Sequence, residues 1–163
     1  MKEPVAYQDA VDLLDADHKA VKKMFIDFDA LCEDGASPKQ KGALAQRICQ
    51  ALTVHASIEE EIFYPQVRDV TGDDSMLDEA LEEHAEAKQL IAKIEAMKPG
   101  NEAFDATVKQ LAKLIDQHVL EEREQIFLAA RYSALDLRGM TLPLLKRKKQ
   151  LTKKLTHGAK EAA

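Results

Sequence analysis

Four long stretches of this chain place apolar residues three or four positions apart. That spacing puts one apolar face on each of four helices and leaves little besides a helical bundle. The first stretch runs from about Tyr7 to Glu33, with Val11, Leu14, His18, Val21, Phe25 and Phe28 in register. Gly35 ends it, and Ser37 and Pro38 supply an N-cap and a first helical position for the next. The second runs from Pro38 to about Val70 through Leu44, Ile48, Leu52, His55, Glu59, Ile62 and Phe63, with Pro65 expected to kink or end its regular part. The third covers about Ser75 to Met97, with Leu77, Leu81, His84, Ala87 and Ile91 aligned. After the break at Pro99-Gly100-Asn101, the fourth covers about Glu102 to Tyr132, with Leu111, Leu114, His118, Glu122 and Gln125 aligned. Short connections between long amphipathic helices predict an all-α, antiparallel four-helix bundle. It is expected over residues 1–135, with a basic, helical C-terminal extension over 136–163.

Composition agrees. Charged residues are 32% of the chain and aromatics 5%, with no Trp and few Gly or Pro, which suits a bundle better than a sandwich or barrel. No run approaches a membrane span, and Met1 to Leu14 has no apolar core of a signal peptide. Cys32 and Cys49 form no CxxC and no disulfide framework, and read as reduced, packed thiols. A cytoplasmic location is therefore expected. Charge is unevenly spread: residues 141–163 carry seven basic side chains and one acidic, leaving net −12 on residues 1–140. The acidic bundle offers nucleic acid no evident surface, and the tail leaves that question open.

Two of the helices carry the same word, HxxxE, at His55–Glu59 and at His118–Glu122. Four residues on a helix place an imidazole and a carboxylate one turn apart on one face. Each word follows a helix bearing one lone histidine, His18 before His55 and His84 before His118, so the chain reads as two helical hairpins of one design. Packed about a pseudo-two-fold axis, they would bring His18, His55, Glu59, His84, His118 and Glu122 together inside the bundle. All six lie on apolar faces, where unpaired carboxylates are costly and a cation is the simplest remedy. Imidazole and carboxylate without thiolate suit iron, and also manganese or zinc. Glu60, Glu61, Glu121, Glu124 and the pair Glu82-Glu83 read as solvated faces, Glu121 being the one nearest to turning inward. His157 lies in the tail outside the pattern and is not expected to be a ligand. The ferritin-type ExxH and the zincin HExxH are both absent.

The order H…HxxxE…H…HxxxE resembles the hemerythrin-like, or HHE cation-binding, family over about residues 8–132. The resemblance is carried by Ala16-Asp17-His18, by the run from His55 to Pro65, by Glu83-His84 and by the run from His118 to Glu122. It implies two iron ions joined by carboxylates and an oxo or hydroxo group, with His18 and His55 on one iron, His84 and His118 on the other, and Glu59 and Glu122 bridging. The chain departs from the oxygen-carrying hemerythrins, which have HxxxH on the third helix and HxxxxD on the fourth. Here Ala80 and Lys88 flank His84 at four residues, and Arg123 stands five after His118. Two octahedral ions offer about twelve positions, and this donor set leaves roughly one open on each.

Open positions favour binding or reaction with O2, peroxide or nitric oxide over simple oxygen carriage. A catalase-like disproportionation of peroxide is the enzymatic form of that reading, and an unidentified redox partner goes with it. The alternative is an iron, oxygen or redox sensor without turnover, with the basic tail as its output surface. Leu144, Leu151 and Leu155 share a helical face flanked by lysines, suited to docking on the bundle, a partner, anionic lipid or nucleic acid. A storage bundle with an incidental metal ranks last.

Overall fold

The computed structural model describes residues 7–162, with side chains described through Thr156. The segment 1–6, on which the reading of the amino terminus partly rests, and the side chains of His157, Lys160 and Glu161 lie outside the described residues. Every regular element among those described is helical. They are α1 (Ala10–Glu33), α2 (Pro38–Ile58), a π-helical turn (Glu59–Phe63), α3 (Tyr64–Thr71), α4 (Asp74–Ala96), α5 (Glu102–Glu124), α6 (Ile126–Arg131) and α7 (Leu137–Ala162). Helices α1 and α2 form one hairpin and α4 and α5 the other. Contacts of α1 with α5 and of α2 with α4 close the bundle.

Local chemistry explains where the helices begin. Asp9, Ser37, Asp73 and Asn101 each accept a backbone N–H in the first turn of the helix that follows. Ser37 and Gln40 complete a reciprocal capping box, with Pro38 just inside. Gly72 closes α3 at φ 65°, a left-handed conformation that a side chain would strain.

The regular part of the second helix is interrupted next to Pro65, as expected, and the chain stays helical to Thr71. A proline inside an α-helix removes one N–H and crowds the carbonyl four residues earlier, here Glu61. The ladder instead widens into the π turn just before Pro65, with the Tyr64 N–H donating to the Glu59 carbonyl. The fourth helix is not continuous to Tyr132. It stops at Glu124, Gln125 adopts φ −115° and ψ −68°, and α6 starts afresh. Gln125 is consequently exposed rather than on the core face, while Ile126 and Phe127 are both buried.

The apolar core has two parts. One gathers Leu13, Leu14, Ile58, Phe63, Val67, Leu77, Ile126 and Phe127. The other gathers Val21, Phe25, Phe28, Ile48, Leu90, Ile91, Phe104 and Leu111. Between them each long helix contributes polar side chains. His18 falls between Leu14 and Val21, His55 and Glu59 beside Leu52 and Ile58, His84 between Leu77 and Ile91, and His118 and Glu122 between Leu111 and Ile126.

The basic tail is a fifth long helix. α7 packs on α1, on α2 and on the π turn. Leu137, Met140 and Leu144 are buried in the first part of the core, Leu144 completely, while Leu151 and Leu155 are half-buried. Arg147 pairs with Glu61 at 3.0 Å and Lys148 with Asp17 at 2.5 Å. Of the surfaces open to its apolar face, α7 takes the bundle itself.

Candidate metal centre

The structure brings all six sequence-chosen residues into the layer between the two apolar clusters, and all six are buried, Glu59 at 0% and Glu122 at 1% exposure. HxxxE on a helix aims both side chains one way, so His55 Nε2 lies 3.0 Å from Glu59 Oε1 and His118 Nε2 3.5 Å from Glu122 Oε2. Each glutamate also crosses to the other hairpin. Glu59 Oε1 lies 3.4 Å from His84 Nε2, and Glu122 Oε1 lies 3.0 Å from His18 Nε2. The histidines pair as well, with ring centroids 4.8 Å apart for His18 and His55 and 4.8 Å for His84 and His118. Two four-residue groups result: His18, His55, Glu59 and Glu122, and His84, His118, Glu59 and Glu122. Within each group the ligand atoms lie inside 4.8 Å of one another. Both glutamates belong to both groups.

These close approaches are not hydrogen bonds. The Nε2 atoms of His18, His55 and His118, both carboxylate oxygens of Glu59 and Oε1 of Glu122 have no hydrogen-bond partner. Buried polar atoms in folded proteins are nearly always satisfied, and leaving several converging donors and acceptors unpaired is costly. Nitrogen lone pairs and carboxylate oxygens converging on one dry volume are a donor set that fits cations.

The outward face of each imidazole explains its orientation. Every Nδ1 meets a carboxylate that accepts its proton: Asp15 for His18 (3.1 Å), Asp17 for His55 (3.0 Å), Glu60 for His84 (2.8 Å) and Glu83 for His118 (2.8 Å). Holding the proton on Nδ1 leaves Nε2 free to face inward, the arrangement by which a carboxylate orients a metal-binding histidine. Three of these carboxylates are themselves backed by a cation, Asp15 by Arg123 at 2.7 Å, Asp17 by Lys148, and Glu60 by Lys88 at 3.0 Å.

The charges perturb one another strongly. Burial alone would push His118 down, but the Glu122 and Glu83 carboxylates outweigh it and raise His118 to about 9. His55 is raised well above its ordinary value, with Glu59 and Asp17 overcoming its burial. Burial works against the Glu122 carboxylate, yet His118 and His18 hold it well below the usual range. Asp15 is lowered to about 2, first by its hydrogen bond to His18, with Arg123 overcoming its partial burial.

Several residues of the site are not among the six. Glu60 and Glu83 read as solvated face from the sequence, but the register between helices turns each toward a histidine of the next helix. Glu121, half-buried, reaches the Glu83 carboxylate rather than a histidine, and accepts from Gln117 on its own helix. Asp17 and Glu83 stand immediately before the lone histidines His18 and His84, and each serves the histidine of the HxxxE word that follows. That repeated acidic-histidine pair is the signal that could have found them. Tyr64 is the other addition. Buried at 2% exposure, its hydroxyl donates to Glu122 and lies 3.3 Å from His84 Nε2. Burial, with Glu122 and Glu59 nearby, keeps that phenol protonated by raising it well above its ordinary range. Phe127 stacks on the His18 ring, centroids 5.5 Å apart at 16°, and meets the edge of Phe63 at 5.8 Å.

The family model for the hemerythrin HHE cation binding domain matches residues 9–130. The chain belongs to that family. Its HHE domain therefore spans the two hairpins and ends before α7. A crystal structure of a hemerythrin HHE cation binding domain-containing protein from Mycobacterium kansasii has the same fold. It gives a TM-score of 0.77 at 16% identity and covers 91% of this chain and 90% of that one. A protein described as a DNA nickase, from a strain of Nostoc, is 32% identical over 120 residues, which is 74% of this chain. The chain spans about a third of that relative's length, 33%. Among the described residues no helix of the HHE domain or of α7 is long and apolar enough to cross a membrane.

Proposed function

We propose that the HHE domain holds two iron ions between Glu59 and Glu122, with His18 and His55 serving one and His84 and His118 the other, and that this centre binds or reacts with O2, peroxide or nitric oxide. The observation that carries the reading is the crossing of the two glutamates. Each faces one histidine of the first pair and one of the second, as bridging carboxylates must. Imidazole and carboxylate without thiolate favour iron within this family's chemistry. A cavity of about 30 Å³ lies against all four imidazoles, lined otherwise mainly by apolar groups such as Leu52, Ile91, Ile115 and Val119, with Thr53 and Lys88 beside them. Its size suits a molecule such as water, a diatomic gas or peroxide.

Iron bound there would supply ferrous–ferric cycling and open coordination positions. The chain's own part is to hold and shield. Asp15, Asp17, Glu60 and Glu83 fix the four ring tautomers, Tyr64 keeps a proton at Oη beside Glu122, and Phe63, Phe127 and Ile126 exclude water. Free Cys32 and Cys49 suit a reducing, cytoplasmic setting, where handling of oxidants would serve the response to oxidative stress. The test is metal analysis and an absorption spectrum of aerobically purified protein, followed by peroxide. About two irons per chain and a charge-transfer band that responds to O2 or peroxide support the reading. A colourless or unresponsive iron-loaded protein overturns it. Evolution of oxygen from peroxide decides for catalase-like turnover.

A second reading, a sensor with an output surface, is favoured by the exposed face of α7. Lys146, Lys149, Lys153 and Lys154 remain exposed while α7 is docked. Together with the likeness to a DNA nickase, this points to nucleic acid as the surface such lysines would engage. Salt-dependent binding of duplex DNA that is lost on replacing these four lysines by alanine would support it, and undetectable binding at low salt would dismiss it.

A further inference from the structure

Each carboxylate behind a histidine is a device for holding one imidazole, and the cations behind those carboxylates differ in origin. Arg123 and Lys88 lie on α5 and α4, within the bundle that builds the site. Glu83 has Glu121 nearby instead of a cation. Asp17 receives its cation from outside the bundle: Lys148 of α7 reaches its Oδ1, while its Oδ2 accepts from His55 Nδ1 at 3.0 Å. The chain of contacts from Lys148 through Asp17 and His55 to Glu59 thus joins three helices and ends at a carboxylate shared by both four-residue groups. Asp17 is largely buried, its side chain 12% exposed, so little water is on hand to replace the ammonium.

The seat of α7 makes this contact sensitive. Its first turns are anchored by buried Leu137, Met140 and Leu144. Beyond them the helix lies over a cavity of about 330 Å³, bordered by Val21, Met24, Ala51 and Leu155 and opening beside Asp17 and Lys148. Past Leu144, the packing of half-buried Leu145 and Leu151 is joined by two ion pairs, Arg147 on Glu61 and Lys148 on Asp17. The other oxygen-to-cation pair, on Glu61, touches no histidine among the contacts of the described residues.

We propose that Lys148 is a positioning residue of the metal centre: by holding Asp17 it orients His55, so that docking of α7 and loading of the His55 side of the site favour each other. This rests on the metal-centre reading above. Coupling of this kind is reciprocal, so metal binding must tighten α7 by the same factor that α7 tightens metal binding.

The test uses the full chain, with zinc(II) as a diamagnetic probe, in wild type, Lys148→Met, Lys148→Arg and, as a control, Lys149→Met at an exposed neighbouring position. Lys148→Met is expected to weaken one metal equivalent about tenfold, the low end of the range for groups that directly orient a metal-ligating histidine, because Lys148 acts through Asp17. Lys148→Arg restores it to within about twofold, and Lys149→Met matches wild type. In the zinc-loaded protein the His55 Nδ1–H resonance shifts in Lys148→Met, while those of His84 and His118 stay in place. In wild type, zinc slows amide exchange in α7 around Lys148. Equal affinity in Lys148→Met and wild type, equal loss in Lys149→Met, a failure of Lys148→Arg to recover, or unchanged α7 exchange each overturns the proposal. Wild-type protein that takes up neither zinc(II) nor iron(II) overturns the metal-centre reading itself, a separate failure visible before any variant is made.

Discussion

Tyr64 donates its hydroxyl to Glu122 across the bundle, from the first turn of α3 to the last turns of α5. Glu122 lies 3.0 Å from His18 Nε2 and 3.5 Å from His118 Nε2, so the phenol holds a carboxylate shared by both hairpins. The π turn over Glu59–Phe63 makes this reach available, since it ends at the residue before Tyr64. Such turns often mark functional positions.

Replacing Tyr64 by phenylalanine removes the donor and little volume. A buried carboxylate left short of a hydrogen bond costs about 1–3 kcal/mol. Urea unfolding of the metal-free protein is expected to register that loss for Tyr64→Phe. Tyr132→Phe, at a ring 85% exposed, should leave the midpoint where it was.

The shared glutamates and the unshared histidines predict different metal counts. Glu59 and Glu122 belong to both four-residue groups, and each histidine to one. Glu59→Ala is therefore expected to bring bound iron after dialysis close to none per chain. The double change His18→Ala with His55→Ala should retain about one. Equal retention in the two variants would show that Glu59 serves a single ion.

Carboxylates that merely orient a ring act more gently. Glu60→Gln and Glu83→Gln keep size and shape but weaken the grip on His84 and His118 Nδ1. Metal affinity by competition with a chelator is expected to fall about 10- to 100-fold for each. Glu82→Gln, at an exposed position on the same helix, supplies the baseline.

Much of this site was legible in the sequence because the relevant geometry is local. His55 and Glu59, and His118 and Glu122, are one helical turn apart, and the apolar spacing around them places all six residues inward. Asp17, Glu60 and Glu83 were not legible by periodicity, because their partners lie on other helices and only the register between helices turns them inward. Tyr64 was hidden by the π turn, whose extra residue shifts the face presented after Glu59. The break at Gln125 likewise defeated a periodic reading, which has no means of seeing one residue leave the helical register. The tail's leucine spacing showed that α7 had an apolar face, but not that the bundle, rather than a partner, would receive it.

Cys49 supplies a pH dependence away from the site. Burial, followed by the nearby Glu95, pushes its thiol up to about 12 from an ordinary 9.0. The folded state thus keeps a proton that the unfolded chain gives up above its ordinary value. The stabilisation is complete below about pH 9 and is lost as pH climbs toward 12. Between pH 8 and 10, wild type should lose about 1.4 kcal/mol more stability than Cys49→Ala. Denaturant melts at the two pH values measure the difference. A loss of equal size in both proteins would assign the alkaline sensitivity elsewhere.

Because a charged layer separates the two apolar clusters, α1, α2 and α4 each reach into two hydrophobic neighbourhoods with few side chains common to both. Cooperativity between the ends of the molecule is then carried by whatever binds that layer together. With cations in place the bundle should melt as one unit. Stripped of them, the end with Phe28 and the end with Phe63 and Leu144 are expected to lose part of that coupling.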